Sequence, residues 1–215
     1  MKEKIKEKLI TMLLWQKIKY QNRARYRQKI ISNWILEGKK IPPPHALKQD
    51  VIQFFQKAYG VKILIETGTF RGEMVYAQKK NFEKIISIEL SPELFQIAKK
   101  RFKNYKHVEI ICGDSGILLK RLISKINKAA IFWLDGHYSG FETAKGSLET
   151  PVKLELETIL NSEINHIILI DDARMFTGDN DYPAIQAIKD FVFSRKNNYM
   201  FNVEDDIIRI SPALQ

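Results

Sequence analysis

One repeated pattern organises this chain: a short, continuous apolar run rich in β-branched residues, then a longer segment with helical spacing, five times in succession. The runs are residues 61–66 (VKILIE), 84–89 (KIISIE), 107–112 (HVEIIC), 129–135 (AAIFWLD) and 166–171 (HIILID). Helical spacing follows near 71–80, 91–103, 115–127, 151–162 and 182–196. Apolar runs without polar alternation belong to strands covered on both faces, and parallel neighbours require crossover helices of this kind. The pattern breaks at the end, where 199–203 (YMFNV) and 206–210 (DIIRI) are separated only by Glu204-Asp205. That gap has no room for a crossover helix, so the two runs form a hairpin. The expectation is a doubly wound α/β fold: a mostly parallel seven-stranded sheet with an antiparallel C-terminal hairpin.

A different segment precedes this body. Residues 1–37 read as one or two helices ending near Gly38, and Pro42-Pro43-Pro44 makes 39–45 a linker because proline fixes φ and removes amide donors. Residues 46–59 return to helical spacing and stop at Gly60. The expected division is therefore 1–45, a basic helical extension with a proline-rich linker, and 46–215, the folded body. Residues 1–48 contain 13 Lys and Arg against three Asp and Glu, which accounts for the whole net charge of +10. The body is neutral.

Two readings of the extension stay open. In one, its charge meets an anionic partner: a phosphorylated or lipid-linked acceptor, a peripheral membrane surface, or nucleic acid. In the other, an apolar stripe of Ile5, Leu9, Met12 and Leu13 packs on the body or forms a homodimer, with the lysines solvated. The uncharged stretch from Leu9 to Gln16 is far short of the roughly 20 residues that span a bilayer, and no small-residue cleavage site follows it. The single cysteine, Cys112, excludes a disulfide framework. A cytoplasmic location is expected.

In an open α/β sheet, ligands bind beyond the carboxyl ends of the strands, so the polar residues there carry the chemistry. After the first strand comes Glu66-Thr67-Gly68-Thr69-Phe70-Arg71-Gly72. Gly68 permits a sharp turn close to a ligand, and Gly72 lets the next helix approach the strand. Glu89, followed by Leu90, lies about twenty residues past the glycine turn, where a carboxylate accepts ribose hydroxyls. Up to this point a nicotinamide dinucleotide and S-adenosylmethionine (SAM) fit equally well. Gly113-Asp114-Ser115 after the third strand suits adenine, and Asp135-Gly136-His137 follows the fourth. Four acids in succession suit a cationic sulfonium with a free amino group, which favours SAM.

These residues carry a resemblance. The order Glu-x-Gly-x-x-x-Gly, Ile88-Glu89, Gly113-Asp114-Ser115 and Asp135-Gly136-His137 resembles the Rossmann-like class I methyltransferases over roughly residues 60–210. The run from Glu66 to Gly72 resembles the macrocin-type sugar O-methyltransferases, in which an Arg-Gly pair also follows a Glu-Thr-Gly turn. Phe70 stands where a second loop glycine is common in the wider class. The resemblance implies SAM as cofactor, bound by Glu66, Thr67, Gly68, Thr69, Phe70, Gly72, Glu89, Leu90, Gly113, Asp114, Ser115 and Asp135.

At the reaction end, Asp171 and Asp172 close the fifth strand, next to the fourth, so Asp135, Asp171 and Asp172 are expected to converge. Three carboxylates so close repel unless neutralised, and a divalent cation such as Mg²⁺ is the expected partner. The family resemblance implies the same, since macrocin-type enzymes place metal-binding aspartates there. An alcohol is a poor nucleophile until it loses its proton, and His137, two residues past Asp135, is the expected base. The corresponding position in the resembling family is an aspartate. Tyr138 and Arg174 are the further substrate candidates, Arg174 for an anionic acceptor.

The leading expectation is O-methylation of a sugar, nucleotide sugar or phosphorylated glycan precursor, as in polysaccharide biosynthesis. A nucleic-acid methyltransferase is the alternative that the basic arm favours. The sequence Asp-Gly-His-Tyr after the fourth strand, in place of the Asn/Asp-Pro-Pro-Tyr/Phe pattern of amino-methylating enzymes, speaks against it. A third reading is a binding or scaffold protein that keeps the fold without catalysis.

Overall fold

The computed structural model describes residues 24–136 and 150–213. The chain divides into two compact units, Met1–Lys48 and Gln49–Gln215. In the first, helix α1 covers 24–36, and Gly38 and Lys39 turn the chain with φ of +82° and +56°. The Trp34 indole donates to the Lys40 carbonyl at 2.6 Å, and the Ile41-Pro42 peptide is cis. Helix α2 begins within this unit and runs over His45–Tyr59.

The second unit alternates strand and helix: β1 Ile63–Thr67, α3 Glu73–Gln78, β2 Lys84–Glu89, α4 Pro92–Phe102, β3 Val108–Cys112, α5 Ser115–Ile123, β4 Ala130–Leu134, α6 Val152–Leu160, β5 Ile167–Ile170, α7 Ile185–Arg195, β6 Tyr199–Glu204 and β7 Ile207–Pro212. A 3₁₀ turn at Ala173–Met175 follows β5. The sheet order is β3-β2-β1-β4-β5-β7-β6, with β1 to β5 parallel and β6 and β7 antiparallel. This is the expected doubly wound seven-stranded sheet with its closing hairpin.

Strand side chains alternate between two cores, as a period of two requires. Ile65, Phe132, Leu134, Ile168 and Ile170 face α5, α6 and α7, packing on Leu119, Leu156, Ile159 and Val192. Leu64, Ile131, Trp133, Ile167 and Leu169 face the other way, onto Ile52 and Phe55 of α2, Met74 and Val75 of α3 and Phe102 of α4. Phe132 and Trp133, both fully buried, fill opposite sides of the central strand. At the edge, β3 is only half covered, and Cys112 is exposed despite its apolar neighbours.

The hairpin turns on Asp205 and Asp206, both with positive φ (+52° and +62°), the conformation of a two-residue turn whose twist matches its strands. Asp and Asn enter this left-handed region at less cost than bulkier residues. Among the described residues, no helix is long and apolar enough to cross a membrane.

Candidate active site

Backbone hydrogen bonds extend the sheet past its strand ends and draw the loops together. Gly68 and Thr69 donate to the Ile88 carbonyl at 2.9 and 3.2 Å, Gly113 to Glu89 at 2.8 Å, Asp135 to Thr67 at 3.1 Å and Asp171 to Leu134 at 3.0 Å. The sequence-predicted positions after β1 to β5 therefore lie side by side along one edge of the sheet.

Gly68 is required by that closeness. It adopts φ +82°, and a Cβ there would collide with the Asp135 carbonyl. Gly72, the residue before α3, also has positive φ, and its Cβ would sit 2.5 Å from the Phe102 ring. Phe70 joins them in the left-handed region at φ +49°.

The Phe70 amide donates to Glu89 Oε2 at 2.7 Å, and the Ser91 amide donates to Oε1 at 2.9 Å. Glu89 is thus fixed by both neighbouring turns, and each carboxylate oxygen keeps a lone pair for a further donor. Burial raises its pKa, and the bonds from the Ser91 and Phe70 amides partly offset that rise. Leu90 follows it at the end of β2. Asp114 caps α5, with Oδ1 accepting from the Gly116 amide at 2.8 Å, which leaves Oδ2 as a second acceptor.

Glu66 serves the loop from below. It is buried at 2% exposure and accepts from the Ser87 hydroxyl, which also bonds Thr69 Oγ1 at 2.6 Å. Burial holds its pKa well above the usual carboxylate range. Ser87 was missed in the sequence, although a serine at the centre of the apolar run KIISIE was the available signal.

The segment after β5 is held differently. Asp171 Oδ1 accepts from the Asp172 amide at 2.9 Å, and Asp172 adopts φ +55°. Arg174, expected to hold an anionic acceptor, donates to Asp172 Oδ1 at 2.9 Å and ion-pairs with Asp206 of the hairpin turn. Asp206 also accepts from the Arg174 amide through Oδ1 (2.8 Å) and from the Ala173 amide through its carbonyl (2.8 Å). Desolvation lowers the Arg174 pKa, but the two carboxylates outweigh it and the net shift is upward.

This arrangement bears on the expected cation. Among the described residues, no group of three or more His, Cys, Asp or Glu side chains is placed to hold a metal ion. The case for Mg²⁺ rested on three carboxylates needing positive charge, and at Asp172 the Arg174 guanidinium supplies it. His137 and Tyr138 lie outside the described residues, as do 139–149.

One residue absent from the expected set sits among those predicted. Glu155, in the first turn of α6, is 1% exposed, and burial raises its pKa to about 7. Its place on the apolar stripe Val152, Leu156, Ile159 was the available signal.

No protein-family model matches the chain, and no curated protein sequence matches it. Solved structures do. A putative caffeoyl-CoA O-methyltransferase from Staphylococcus aureus superposes with a TM-score of 0.58 at 14% identity, covering 93% of this chain and 98% of that one. The SAH-bound methyltransferase PaMTH1 from Podospora anserina gives 0.55 at 18% identity over 91% and 96%. The O-methyltransferase TomG from Streptomyces achromogenes, solved with SAM, gives 0.53 at 13% identity over 88% and 89%. At such identities what is shared is the architecture, and the chain has the Rossmann-like fold of the class I methyltransferases.

Proposed function

We propose that this protein transfers the methyl group of SAM to a hydroxyl of a sugar, nucleotide sugar or phosphorylated glycan precursor. The observation that carries the cofactor is Glu89, held by the Phe70 and Ser91 amides with an acceptor lone pair left on each oxygen. In this reading Glu89 receives the ribose hydroxyls and Asp114, with the Ser115 amide, receives adenine. Gly68 lets the loop backbone approach the amino-acid tail, and Asp135 stands beside it. When bound, SAM supplies a methyl group made electrophilic by its cationic sulfur.

His137 is the proton acceptor for the incoming hydroxyl in this reading, by its sequence position two residues past Asp135. The sugar-type acceptor rests on the likeness of residues 66–72 to the macrocin-type enzymes. No step is assigned to a divalent cation. Isothermal calorimetry on the full chain tests the cofactor. One-site binding of SAM and of S-adenosylhomocysteine (SAH), with none of NADH, is expected, and absence of heat with SAM would refute the reading.

A further inference from the structure

The folded body is neutral in sum but not in distribution. Residues 71–106, from the turn after β1 to the start of β3, hold nine Lys and Arg against four Asp and Glu, while the other residues of 49–215 hold 13 against 18. Of those four acids, Glu89 is buried at the cofactor edge and Glu83 pairs with Lys62 at 3.7 Å. Only Glu73 and Glu93 are left to balance the flank made by α3, α4 and their turns.

Contacts within this flank join the cations into a band. Arg101, near the end of α4, donates to the Arg71 carbonyl and pairs with Glu73 at 3.0 Å. Its guanidinium lies 5.0 Å from the centre of the Tyr76 ring. Lys79 Nζ lies 3.1 Å from the centre of the same ring and 5.5 Å from that of Tyr105. Tyr105 meets His107 edge to face, and the His107 ring bonds the Lys79 carbonyl at 2.7 Å. Burial lowers the Lys79 pKa, and the charges of Lys80 and Arg101 act in the same direction. Like charges gathered in this way repel one another, and an anion laid across them relieves the repulsion.

Beside the band lies an open groove of ≈ 560 Å³, lined by Arg71, Lys100 and Arg101 with Glu73 and Ile97. Three cations stand against one acid. The shape selects among anions. A bilayer is held by apolar side chains that protrude into it, whereas the exposed Ile97 lines a concavity. A narrow, flexible chain of phosphates fits a basic groove with aromatic rings beside it, the arrangement that binds single strands irrespective of sequence.

We propose that the outer face of α3 and α4 is a docking surface for single-stranded nucleic acid, whose phosphodiester backbone lies along Arg71, Lys100, Arg101 and Lys79. The surface begins at the turn after β1, so a bound strand lies beside the carboxyl edge of the sheet. This docking is independent of the SAM reading, since it draws on charge and shape outside the cofactor turns.

The test is fluorescence anisotropy of a labelled oligouridylate of about 20 nucleotides with the full chain, between about 50 and 200 mM salt. The parent is compared with Lys79→Gln/Lys100→Gln and with Lys120→Gln/Arg121→Gln. The second pair removes the same charge from exposed positions on α5, which packs on the opposite face of the sheet. Thermal melts and calorimetric SAM titration should match the parent for both variants. Loss of two phosphate contacts should weaken binding by the α3–α4 variant roughly twentyfold near 0.1 M salt and flatten its log–log salt slope by about 1.4. The α5 variant should stay within about twofold of the parent. Equal losses in the two variants would mean that binding follows net charge alone, and absence of binding by the parent would mean that the face holds no strand. Either result overturns the proposal. Vesicles of phosphatidylglycerol and phosphatidylcholine supply the remaining arm. If the α3–α4 variant loses affinity for vesicles and keeps it for the oligonucleotide, the face belongs to a membrane and the proposal fails.

Discussion

The two halves of the sheet's carboxyl edge are built on opposite principles. After β1, β2 and β3 the chain turns within a few residues. The acids there are held by backbone amides close in sequence or across one strand: Glu89 by Phe70 and Ser91, Asp114 by Gly116. After β5, Asp172 is held by a side chain, Arg174, which is anchored to Asp206, 32 residues further on. A turn that satisfies its own acids keeps its shape without help from elsewhere. An acid neutralised by a side chain that is itself anchored on a distant hairpin depends on that hairpin being closed.

The sharpest way to break that contrast is Gly68→Ala. The methyl group has no space beside the Asp135 carbonyl and φ is +82°, so a cost of about 4 kcal/mol and a fall in Tm of about 10 °C are expected. SAM affinity should drop more than a hundredfold in calorimetry. A variant that binds SAM normally would show that the first turn does not shape the cofactor site.

Asp206→Asn probes the other half. Asparagine tolerates the left-handed turn, so the change removes mainly the charge that anchors Arg174, at a cost of about 2 kcal/mol and about 5 °C in Tm. Arg174 is partly exposed, which keeps the figure below that of a fully buried pair. SAM binding should be unchanged. If it weakens as much as with Gly68→Ala, the two halves are one coupled site.

A smaller effect separates the two ends of β5 by pH. Glu155, raised from 4.5 to about 7, binds more protons when folded, so its contribution to stability is present below about 4.5 and lost as pH rises through about 7. His166, beside the start of β5, has the opposite sign. Its Nδ1 accepts from the Ala130 amide and burial lowers its pKa from 6.5 to about 4, so stability is lost as pH falls from 6.5 to 4. The two slopes oppose each other between about 4.5 and 6.5. In Glu155→Gln the opposition ends, and stability from denaturant melts should climb with pH in that window, by up to about 1 kcal/mol per unit relative to the parent. Parallel curves would mean that Glu155 is ionised throughout.

What could be read from the sequence follows the same division. The sheet, its order of elements and its hairpin were legible because apolar periodicity and the spacing of turns are local signals. The placement of Glu89 and Asp114 at the strand ends was legible because it follows from where each strand stops. The ion pair of Arg174 with Asp206 was not legible, because nothing near Arg174 in sequence announces a partner 32 residues on. The metal centre was expected from a count of aspartates, and a count does not show the guanidinium that Asp172 receives from Arg174. Glu155 was passed over because an acid within VKLELETIL reads as solvated until the helix face is assigned.

The Asp205-Asp206 turn also has a consequence in time. The segment 172–174 leaves β5 with backbone donors and a guanidinium whose partners lie in a hairpin that comes after every other element of the sheet. Until β7 has paired with β5, those groups lack the acceptors that hold them, while the turns after β1 to β3 already have theirs. Pairing β5 with β7 closes a longer stretch of chain than pairing β1 with β2 or β2 with β3, so it pays more loop-closure entropy than those pairings do. The turns after β1 to β3 should therefore take shape in a nascent or refolding chain before the segment after β5 does.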